Sequence, residues 1–316
     1  MVEVITLGET MVMFSPEQNG PLRYVQRFQK RIAGSESNVA IGLVRLGHPS
    51  GWISRVGNDE FGQFLLREIK GEGVDVSGAK IDSSAPTGLM FKEIQEGRET
   101  RVVYYRKDSA ASYLAPEDLP EEYFRHAGLL HLTGITPALS ASCFETIQEA
   151  IRLAQKNGLM ISFDPNLRLK LWTEAQAKKI LSGIWKQADI VLSGLDEAQL
   201  LLGREEPEVL MDKFLEQGAK IVALKAGPME TWVASPDERY KVPTFQIKSV
   251  IDPIGAGDAF AAGFLAGLLE KRSLDECAKL ANAMGAMAVM SSGDFEGLPT
   301  RNELEAFMTN RNQVYR

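Results

Sequence analysis

Short apolar segments alternate along the chain with segments in which apolar residues recur every three or four positions. The apolar segments predict strands at residues 2–8, 52–56, 129–132, 159–163, 190–192 and 221–224. The periodic segments predict helices at residues 38–46, 61–69, 144–155, 174–187 and 209–217, and the chain from Asp258 onward is mainly helical in pattern. This alternation predicts βαβ units and therefore an α/β fold, with a doubly wound, mainly parallel sheet covered on both faces.

Two regions depart from this alternation. Residues 87–94 and 100–106 are rich in β-formers and are joined by residues 95–99 (QEGRE), a pattern typical of a hairpin. Residues 18–30 are strand-like and polar. These pieces predict a small antiparallel lid formed by about residues 10–31 and 87–112, and the alternative is a hairpin that extends the main sheet. Without repeats or long linkers, residues 1–316 are expected to form one domain.

Composition narrows the classes of function. Among 316 residues, 35 Lys and Arg face 42 Asp and Glu, and the resulting net charge of −7 argues against a nucleic-acid partner. Two cysteines and three histidines lack the spacing of a disulfide framework or a zinc site. There is no apolar run of about 18 residues and no basic-apolar leader. We therefore expect no membrane span, no signal peptide and a cytoplasmic enzyme.

The segment with the clearest chemistry is residues 252–260 (DPIGAGDAF). A strand-like lead at 247–251 enters a glycine turn, and the apolar spacing after it predicts a helix. Free N–H groups at a helix start bind anions such as phosphate. Asp258 lies in this turn, and two interpretations stay open. It caps the helix, or it accepts a proton from a hydroxyl that attacks phosphorus.

Other nucleotide-binding motifs match less well. The chain contains no Gly-Lys dipeptide and therefore no Walker A loop. Gly255 and Gly257 begin like a dinucleotide fingerprint, but Phe260 stands at the third glycine position, and Glu276 follows about 20 residues on, as a ribose partner would. A nicotinamide-dependent oxidoreductase therefore remains an alternative.

Three segments together resemble the signatures of the ribokinase-like (PfkB) carbohydrate kinases. They are residues 33–40 (AGSESNVA), 57–62 (GNDEFG) and 252–258, and the resemblance covers essentially the full chain. It implies a doubly wound domain with a β lid, and ATP-dependent phosphorylation of a sugar with Mg²⁺. It also implies Asp258 as the base and the N–H groups of Gly255, Ala256 and Gly257 as the anion hole.

The same resemblance implies further roles. Gly34 and Asn38 would contact sugar, and Asp252 would lie at the site of a monovalent cation such as K⁺. The implied nucleotide-binding residues are Ser193, Lys225, Gly227, Gly255, Gly257, Asn282 and Gly285. The alternatives are a solvated strand end for Lys225 and helix packing for Asn282 and Gly285.

One position departs from the family pattern. The family usually carries Asn-x-x-Glu near the magnesium waters, and this chain has Gly194 where the Asn is expected. Glu197 is retained, so the resemblance still implies that it holds Mg²⁺ through water. The alternative is that Asp196 and Glu197 form an acidic first helical turn.

The segment 164–172 (DPNLRLKLW) follows a predicted strand, so it lies where open α/β sheets bind ligands. A guanidinium such as that of Arg168 pairs bidentately with a carboxylate or phosphate there. The segment resembles 2-keto-3-deoxygluconate kinases and also plant-type fructokinases. We therefore consider both substrates.

Two further segments resemble the 2-keto-3-deoxygluconate kinases, namely residues 104–112 (YYRKDSAAS) and 293–300 (GDFEGLPT). They imply that Arg106 binds the sugar-acid carboxylate, Tyr104 the sugar chain and Asp294 a hydroxyl. Two arginines suit a sugar acid, although Arg106 and Arg168 can also be structural ion pairs. The sequence thus predicts phosphorylation of 2-keto-3-deoxygluconate on its terminal hydroxyl, with fructokinase, another sugar kinase or a silent sugar-binding regulator as alternatives. The lid edge predicts a homo-oligomer.

Overall fold

The computed structural model describes residues 1–95 and 100–309, so residues 96–99 of the predicted hairpin connection lie outside the described part. The strands in chain order are β1 (Val4–Leu7), β2 (Met11–Pro16), β3 (Phe28–Ala33), β4 (Ser50–Gly57), β5 (Ala79–Asp82), β6 (Leu89–Glu93), β7 (Arg101–Tyr105), β8 (Leu129–Thr133), β9 (Met160–Asp164), β10 (Ile190–Gly194), β11 (Ile221–Ala226), β12 (Glu230–Ala234) and β13 (Arg239–Pro243). Nine of these strands form one sheet in the order β13-β12-β11-β10-β9-β8-β1-β4-β5.

Helices cover both faces of this sheet, which confirms the doubly wound α/β prediction. They are α1 (Ser35–Arg45), α2 (Glu60–Gly71), α3 (Glu121–His126), α4 (Ala141–Asn157), α5 (Glu174–Trp185), α6 (Leu195–Leu202), α7 (Pro207–Glu216), α8 (Ala256–Leu269), α9 (Leu274–Ala288) and α10 (Arg301–Met308). Successive residues of a strand point to opposite faces. Val4 accordingly packs with α1, α8 and α9, whereas Ile5 packs with α4 and α5.

The strand order places a ligand crevice near β1. This strand pairs in parallel with β4 on one side and β8 on the other, so the chain reverses its direction of travel across the sheet there. Strands β8 to β11 also run parallel, and their carboxyl ends lie on the same edge. Ligands of open α/β sheets bind outside that edge at such a reversal.

Four strands form a second sheet, called here the small sheet, in the order β3-β2-β6-β7. Strands β2 and β6 pair in parallel, so this sheet is mixed and not antiparallel throughout as predicted. Strands β6 and β7 pair antiparallel, which confirms the hairpin and shows that it does not extend the main sheet. The prediction of a strand over residues 18–30 is wrong for most of that range. Only the last residues belong to β3, because Pro21 starts a single 3₁₀ turn at Leu22–Tyr24. The pattern also missed β2.

The predicted strand at 247–251 is absent, which corrects the description of the glycine turn. Residues 244–250 form no strand, and Val250 and Ile251 are exposed. The N–H groups of Ile251 and Asp252 instead donate to the carbonyl of Val289 at the end of α9, at 2.8 and 3.3 Å. A loop tied to α9 therefore leads into α8. The helical pattern predicted after Asp258 is confirmed by α8, α9 and α10.

The sequence predicts no membrane span, no disulfide framework and no zinc site. No helix in residues 1–95 and 100–309 is long and apolar enough to cross a membrane. Cys143 and Cys277 are buried, free thiols. His131 is also buried, and its Nδ1 lies 3.1 Å from the hydroxyl of Ser162, so these groups belong to the core.

Candidate active site

A cavity of about 1080 Å³ lies between the small sheet and the carboxyl ends of the main strands. Many of the residues singled out from the sequence line it: Gly34, Tyr104, Arg106, Arg168, Glu197, Lys225, Gly255, Gly257, Asp258 and Asp294. The cavity therefore brings together candidate base, anion hole, cations and carboxylates from segments far apart in the chain.

Asp258 lies in the first turn of α8, with its carboxylate held from the start of α1. The hydroxyl of Ser35 donates to Oδ1 at 2.6 Å, and the amide of Asn38 donates to Oδ2 at 2.8 Å. Burial raises the pKa of Asp258, while these two hydrogen bonds and the charge of Arg168 oppose the rise. The N-cap of α8 is Gly255, so capping does not account for this carboxylate.

The glycine turn presents bare backbone to the cavity. Gly255 has φ +82°, and a Cβ there would overlap the carbonyl oxygen of Asp294, so only glycine fits. The N–H groups of Gly255, Ala256 and Gly257 have no acceptor in the described part of the chain. These donors stand at the positive end of the α8 dipole, which suits an anion.

Lys225 stands beside this turn, at the end of β11. Its Nζ lies 2.7 Å from Oδ2 of Asp164, and a Cβ on Gly257 would be 3.8 Å from it. Burial lowers the pKa of Lys225, but the charges of Asp164 and Glu197 outweigh that effect and raise it. The ammonium is therefore a permanent positive charge in the cavity wall rather than a solvated strand end.

Glu197 faces the same cavity from the start of α6. Its carboxylate accepts the N–H of Gly194 at 3.1 Å and that of Leu167 at 2.7 Å. Burial, and after it the charge of Asp164, raises the pKa of Glu197. The backbone N–H of Gly194 thus supports Glu197 where the family pattern expects an Asn side chain.

Besides Asp164, the partner of Lys225, three polar residues in the site were missed by sequence reasoning. Asn166, at φ +36°, donates from its amide to Ser35 at 3.0 Å, so a relay of hydrogen bonds runs from Asn166 through Ser35 to Asp258. Glu9, directly after the first strand, is the third. The available signals were the serine that follows Gly34 at a helix start and the Asp-Pro-Asn sequence at 164–166.

Glu9 changes the interpretation of the two arginines. It forms an ion pair with Arg106, and the hydroxyl of Ser109 donates to its other oxygen at 2.6 Å. Arg168 is exposed and forms no ion pair with any described residue. Arg106 is therefore ion-paired with Glu9, and its binding of a sugar-acid carboxylate stays a prediction, whereas Arg168 has no ion-pair partner among residues 1–95 and 100–309. The guanidinium carbon of Arg106 and Nζ of Lys170 lie 5.8 and 5.5 Å from the centroid of the Tyr104 ring.

Asp294 and Asp252 meet a lysine from the small sheet. Nζ of Lys92 is 2.9 Å from Oδ2 of Asp252 and 3.5 Å from Oδ1 of Asp294. Burial raises the pKa of Asp294 to about 7, against the lowering effect of Lys92. Oδ1 of Asp252 accepts the N–H of Ile254 at 3.2 Å. Asp252 thus already has a cationic partner, and its donor set does not fit a resident monovalent metal ion.

Several predicted residues lie outside the cavity lining: Asn38, Ser193, Gly227, Ala256, Asn282, Gly285 and Asp252. The side chain of Asn282 is occupied, since it accepts from Thr231 at 2.7 Å and donates to the carbonyl of Pro243 at 3.2 Å. It ties α9 to β12 and β13, which favours the packing alternative. A Cβ on Gly285 would lie 3.5 Å from the carbonyl of Ala256, behind the start of α8.

The structure does not provide the strand–turn–helix context that a dinucleotide-binding fingerprint requires. The fingerprint requires a strand that enters the glycine turn, and residues 244–250 form none. Glu276, the proposed ribose partner, instead accepts the N–H of Ser273 at 3.1 Å and its hydroxyl at 2.9 Å, so it completes the capping box of α9.

Comparisons with known proteins agree on one family. The profile of the pfkB family carbohydrate kinases matches residues 1–301. The 2-dehydro-3-deoxygluconokinase of Bacillus subtilis is 40% identical, with 99% of this chain and 98% of that protein covered, and the enzyme of that name from Thermoproteus tenax is 36% identical, with 98% and 94% covered. A solved structure described as a putative ribokinase II from E. coli in complex with ATP and Mg²⁺ is 28% identical, covers 98% of this chain and 100% of its own, and has a TM-score of 0.92. The chain belongs to the pfkB family of carbohydrate kinases and is an ATP-dependent sugar kinase.

Proposed function

We propose that the chain transfers the γ-phosphoryl group of ATP to the terminal hydroxyl of 2-keto-3-deoxygluconate, giving the 6-phosphate. The observation that carries this proposal is one cavity that contains a supported carboxylate, Asp258, a bare glycine turn and a guanidinium, Arg168, that forms no ion pair with a described residue. The two curated relatives at 40% and 36% identity support it, because 2-dehydro-3-deoxygluconate is the systematic name of the same sugar acid.

In the proposed reaction Asp258 accepts the proton of the sugar hydroxyl as its oxygen attacks the γ-phosphorus. The new O–P bond forms while the bond to the β-phosphate bridging oxygen breaks, and ADP leaves with that electron pair. The N–H groups of Gly255, Ala256 and Gly257 donate to the transferred group, and Lys225 beside them adds positive charge. Preorganised donors of this kind stabilise the charge that develops in the transition state.

Magnesium would be held on the Glu197 side of the cavity, where it would neutralise phosphate charge. Carboxylate oxygens of Glu197 and Asp164 line the wall there, and oxygen is the ligand that Mg²⁺ prefers. No group of three or more His, Cys, Asp or Glu in residues 1–95 and 100–309 could ligate a metal directly. The ion would therefore be shared between water, phosphate oxygens and these carboxylates. Within the proposal, Ser193, Gly227 and Gly285 belong to the nucleotide side.

The charge of Arg168 favours a sugar acid over fructose. Arg168 lines the cavity and is exposed, with no ion-pair partner in the part of the chain that the structure describes, and Lys107 and Lys170 line the same cavity. A carboxylate placed there gains charge-assisted hydrogen bonds, which fructose cannot form. Gly34, Tyr104 and Asp294 also line the cavity, and the carboxylate of Asp294 would accept a hydrogen bond from a sugar hydroxyl.

The small sheet is proposed to close over the bound sugar and to carry a contact between two copies of the chain. The small sheet carries a cluster of half-buried rings, with Phe14 stacked on Phe91 at a centroid distance of 4.9 Å and Phe28 packed edge-on against both. Phe14 also packs edge-on against Phe61 of α2, and Tyr105 adjoins the cluster and is 64% exposed. Exposed aromatic residues such as Tyr105 are enriched at protein contacts. Sedimentation equilibrium of the wild type and Tyr105→Arg tests this contact, which predicts a dimer that the variant loses; a wild-type monomer at micromolar concentration contradicts it.

The experiment for the proposed function measures ADP release with ATP and Mg²⁺ on four candidate substrates: 2-keto-3-deoxygluconate, fructose, ribose and gluconate. The proposal expects the highest kcat/KM with the keto-deoxy acid. A higher value with fructose contradicts the sugar-acid assignment but leaves Asp258 and the glycine turn as the phosphoryl-transfer machinery.

A further inference from the structure

Lys92 is a buried charge in the small sheet that the proposed reaction does not use. It lies on β6, on the same face as Met90, and only 3% of its side chain is exposed. It does not line the cavity, so it touches neither sugar nor nucleotide directly. An ammonium removed from water is costly unless it is paired, so its partners explain why it is there.

Both partners of Lys92 come from the main body of the protein. Nζ lies 2.9 Å from Oδ2 of Asp252, in the loop before α8, and 3.5 Å from Oδ1 of Asp294, in the loop after α9. The ammonium therefore joins three segments that are distant in the chain. Since β6 belongs to the small sheet, this contact exists only while that sheet lies in its present position.

The two carboxylates flank the anion-hole turn. Asp252 stands three residues before Gly255, and its Oδ1 accepts the N–H of Ile254 within the same loop. The carbonyl of Asp294 packs against Gly255, where a Cβ would overlap it. The segments that shape the turn are thus held at a common point by one positive charge. Without that charge two carboxylates would repel each other beside a site for phosphate.

We propose that Lys92 is a positioning residue, whose ammonium takes the place of a monovalent cation between Asp252 and Asp294 and fixes the Gly255–Gly257 turn for phosphoryl transfer. The inference rests on the proposed function of that turn. Turnover is then independent of added K⁺, because the unit positive charge is part of the chain and arrives with the small sheet.

The test compares wild type, Lys92→Ala and Lys92→Met with a matched control, Lys80→Ala. Lys80 also lies on a strand and pairs with a carboxylate, Asp118 at 3.0 Å, but it is 48% exposed and far from the turn. Rates are measured in tetramethylammonium buffer and after addition of K⁺, ammonium or methylammonium. We expect kcat of Lys92→Ala to fall about 10- to 100-fold with little change in the KM for sugar, because the turn is misplaced. Ammonium or methylammonium should restore much of the rate, whereas wild type and Lys80→Ala ignore all three cations.

A second readout needs no substrate. The same cations should raise the melting temperature of Lys92→Ala and leave that of the wild type unchanged. A wild type that phosphorylates none of the tested sugars contradicts the proposed function, and the melting shift still decides the role of Lys92.

Three outcomes overturn the inference: full kcat of either Lys92 variant in tetramethylammonium, a loss that no small cation restores, or saturable activation of the wild type by K⁺. If both variants fail to fold, the response of the wild type to K⁺ tests the inference by itself. Indifference of its rate and melting temperature to K⁺ supports the inference, and a dependence of either on K⁺ contradicts it.

Discussion

The Asp258 carboxylate accepts hydrogen bonds from neutral donors and forms no direct pair with a lysine, and this affects its pKa. Ser35 and Asn38 hold both of its oxygens, while burial raises its pKa. A base works best when its pKa approaches the operating pH. Paired directly with a lysine, the carboxylate would have a pKa pulled down and would be a weaker base. The lysine of the site, Lys225, is bonded to Asp164 instead.

Replacement of Asp258 by Asn tests the base directly. The amide keeps the shape and can still bond Ser35 or Asn38, so we expect folding and sugar binding to persist while kcat falls about 10²- to 10⁴-fold. Asp237→Asn, an exposed acid in the turn between β12 and β13, is the matched control. Calorimetry of sugar binding alongside steady-state rates separates the two effects. Near-normal turnover in Asp258→Asn would remove this residue from the chemistry.

Ser35→Ala tests the hydrogen-bond relay. A hydrogen bond to the ionised form lowers a carboxyl pKa, so its loss should raise the pKa of Asp258 further. The acid limb of the kcat/KM profile should then move to higher pH by about one unit, with the largest rate loss on the acid side. Ser182→Ala, on the exposed side of α5, should leave the profile unchanged. A uniform loss at every pH argues for a purely structural role of Ser35.

At the residue scale the sequence predicted residues that line the cavity better than it predicted their partners, and the chemical roles of these residues stay predictions. Asp258, the glycine turn and Lys225 were identifiable because chemistry dictates residue type and spacing at a helix start or a strand end. The Glu9 ion pair with Arg106 joins the first strand to the small sheet, and no local pattern carries that contact. The contacts of Asn282 were not predicted either, since its amide bonds to β12 and β13, and its role toward the nucleotide stays a prediction.

Among the elements, the junction of the loop with α8 depends on glycine. Gly255→Ala places a Cβ at φ +82° against the carbonyl of Asp294, so we expect lower stability, by about 1–2 kcal/mol or more, and a strong loss of kcat. Gly183→Ala is the control, because Gly183 lies within α5 with open space around it. That change should stabilise the fold by about 0.5–1 kcal/mol. Urea unfolding of both variants checks the contrast, and equal effects would contradict it.

A buried acid joins α1 to the loop after β8. The hydroxyls of Thr133 and Thr136 donate to Glu36 at 2.6 and 3.1 Å, and burial raises the pKa of Glu36 from 4.5 to about 7. The folded chain therefore holds this proton more tightly than the unfolded chain. The corresponding stability is complete below about pH 4.5 and is lost as the pH rises through about 7.

Glu36→Gln should remove this pH dependence. We expect the wild type to lose on the order of 3 kcal/mol more than the variant between about pH 5 and about pH 8. Urea unfolding at the two pH values measures the difference, and Glu145→Gln, exposed on α4, serves as control. Identical pH slopes for wild type and Glu36→Gln would show that Glu36 ionises normally.

Elements with a strong pattern were predicted and those without one were not. The buried strands β8 to β11 were predicted from short apolar runs in the sequence. Such runs occur because helices cover both faces of a parallel sheet. The apolar residues at 247–251 gave the same signal, yet no neighbouring strand is present to satisfy their backbone groups. Pairing is a non-local property, so a short apolar run alone cannot decide it.

At the scale of the whole molecule, the main sheet and the small sheet both contribute residues to one cavity. The main sheet supplies Asp164, Lys225 and Arg168 at its carboxyl edge, and the small sheet and the loop after it supply Arg101 and Arg106. In a chain of net charge −7 the cavity thus carries six basic side chains beside five acidic ones, which suits an anion such as ATP. The sequence predicted this two-part architecture, while the extent of the single domain stays a prediction.

The most direct test of the account is the substrate preference of the wild type against Arg168→Ala. The ratio of kcat/KM for 2-keto-3-deoxygluconate to that for fructose is measured in both, with Arg152→Ala on α4 as control. We expect the ratio to favour the sugar acid and to fall about 10- to 100-fold in Arg168→Ala, mainly through KM, because a charge-assisted hydrogen bond to the carboxylate is lost. An unchanged ratio, or a wild type that prefers fructose, would contradict recognition of a sugar acid by this cavity.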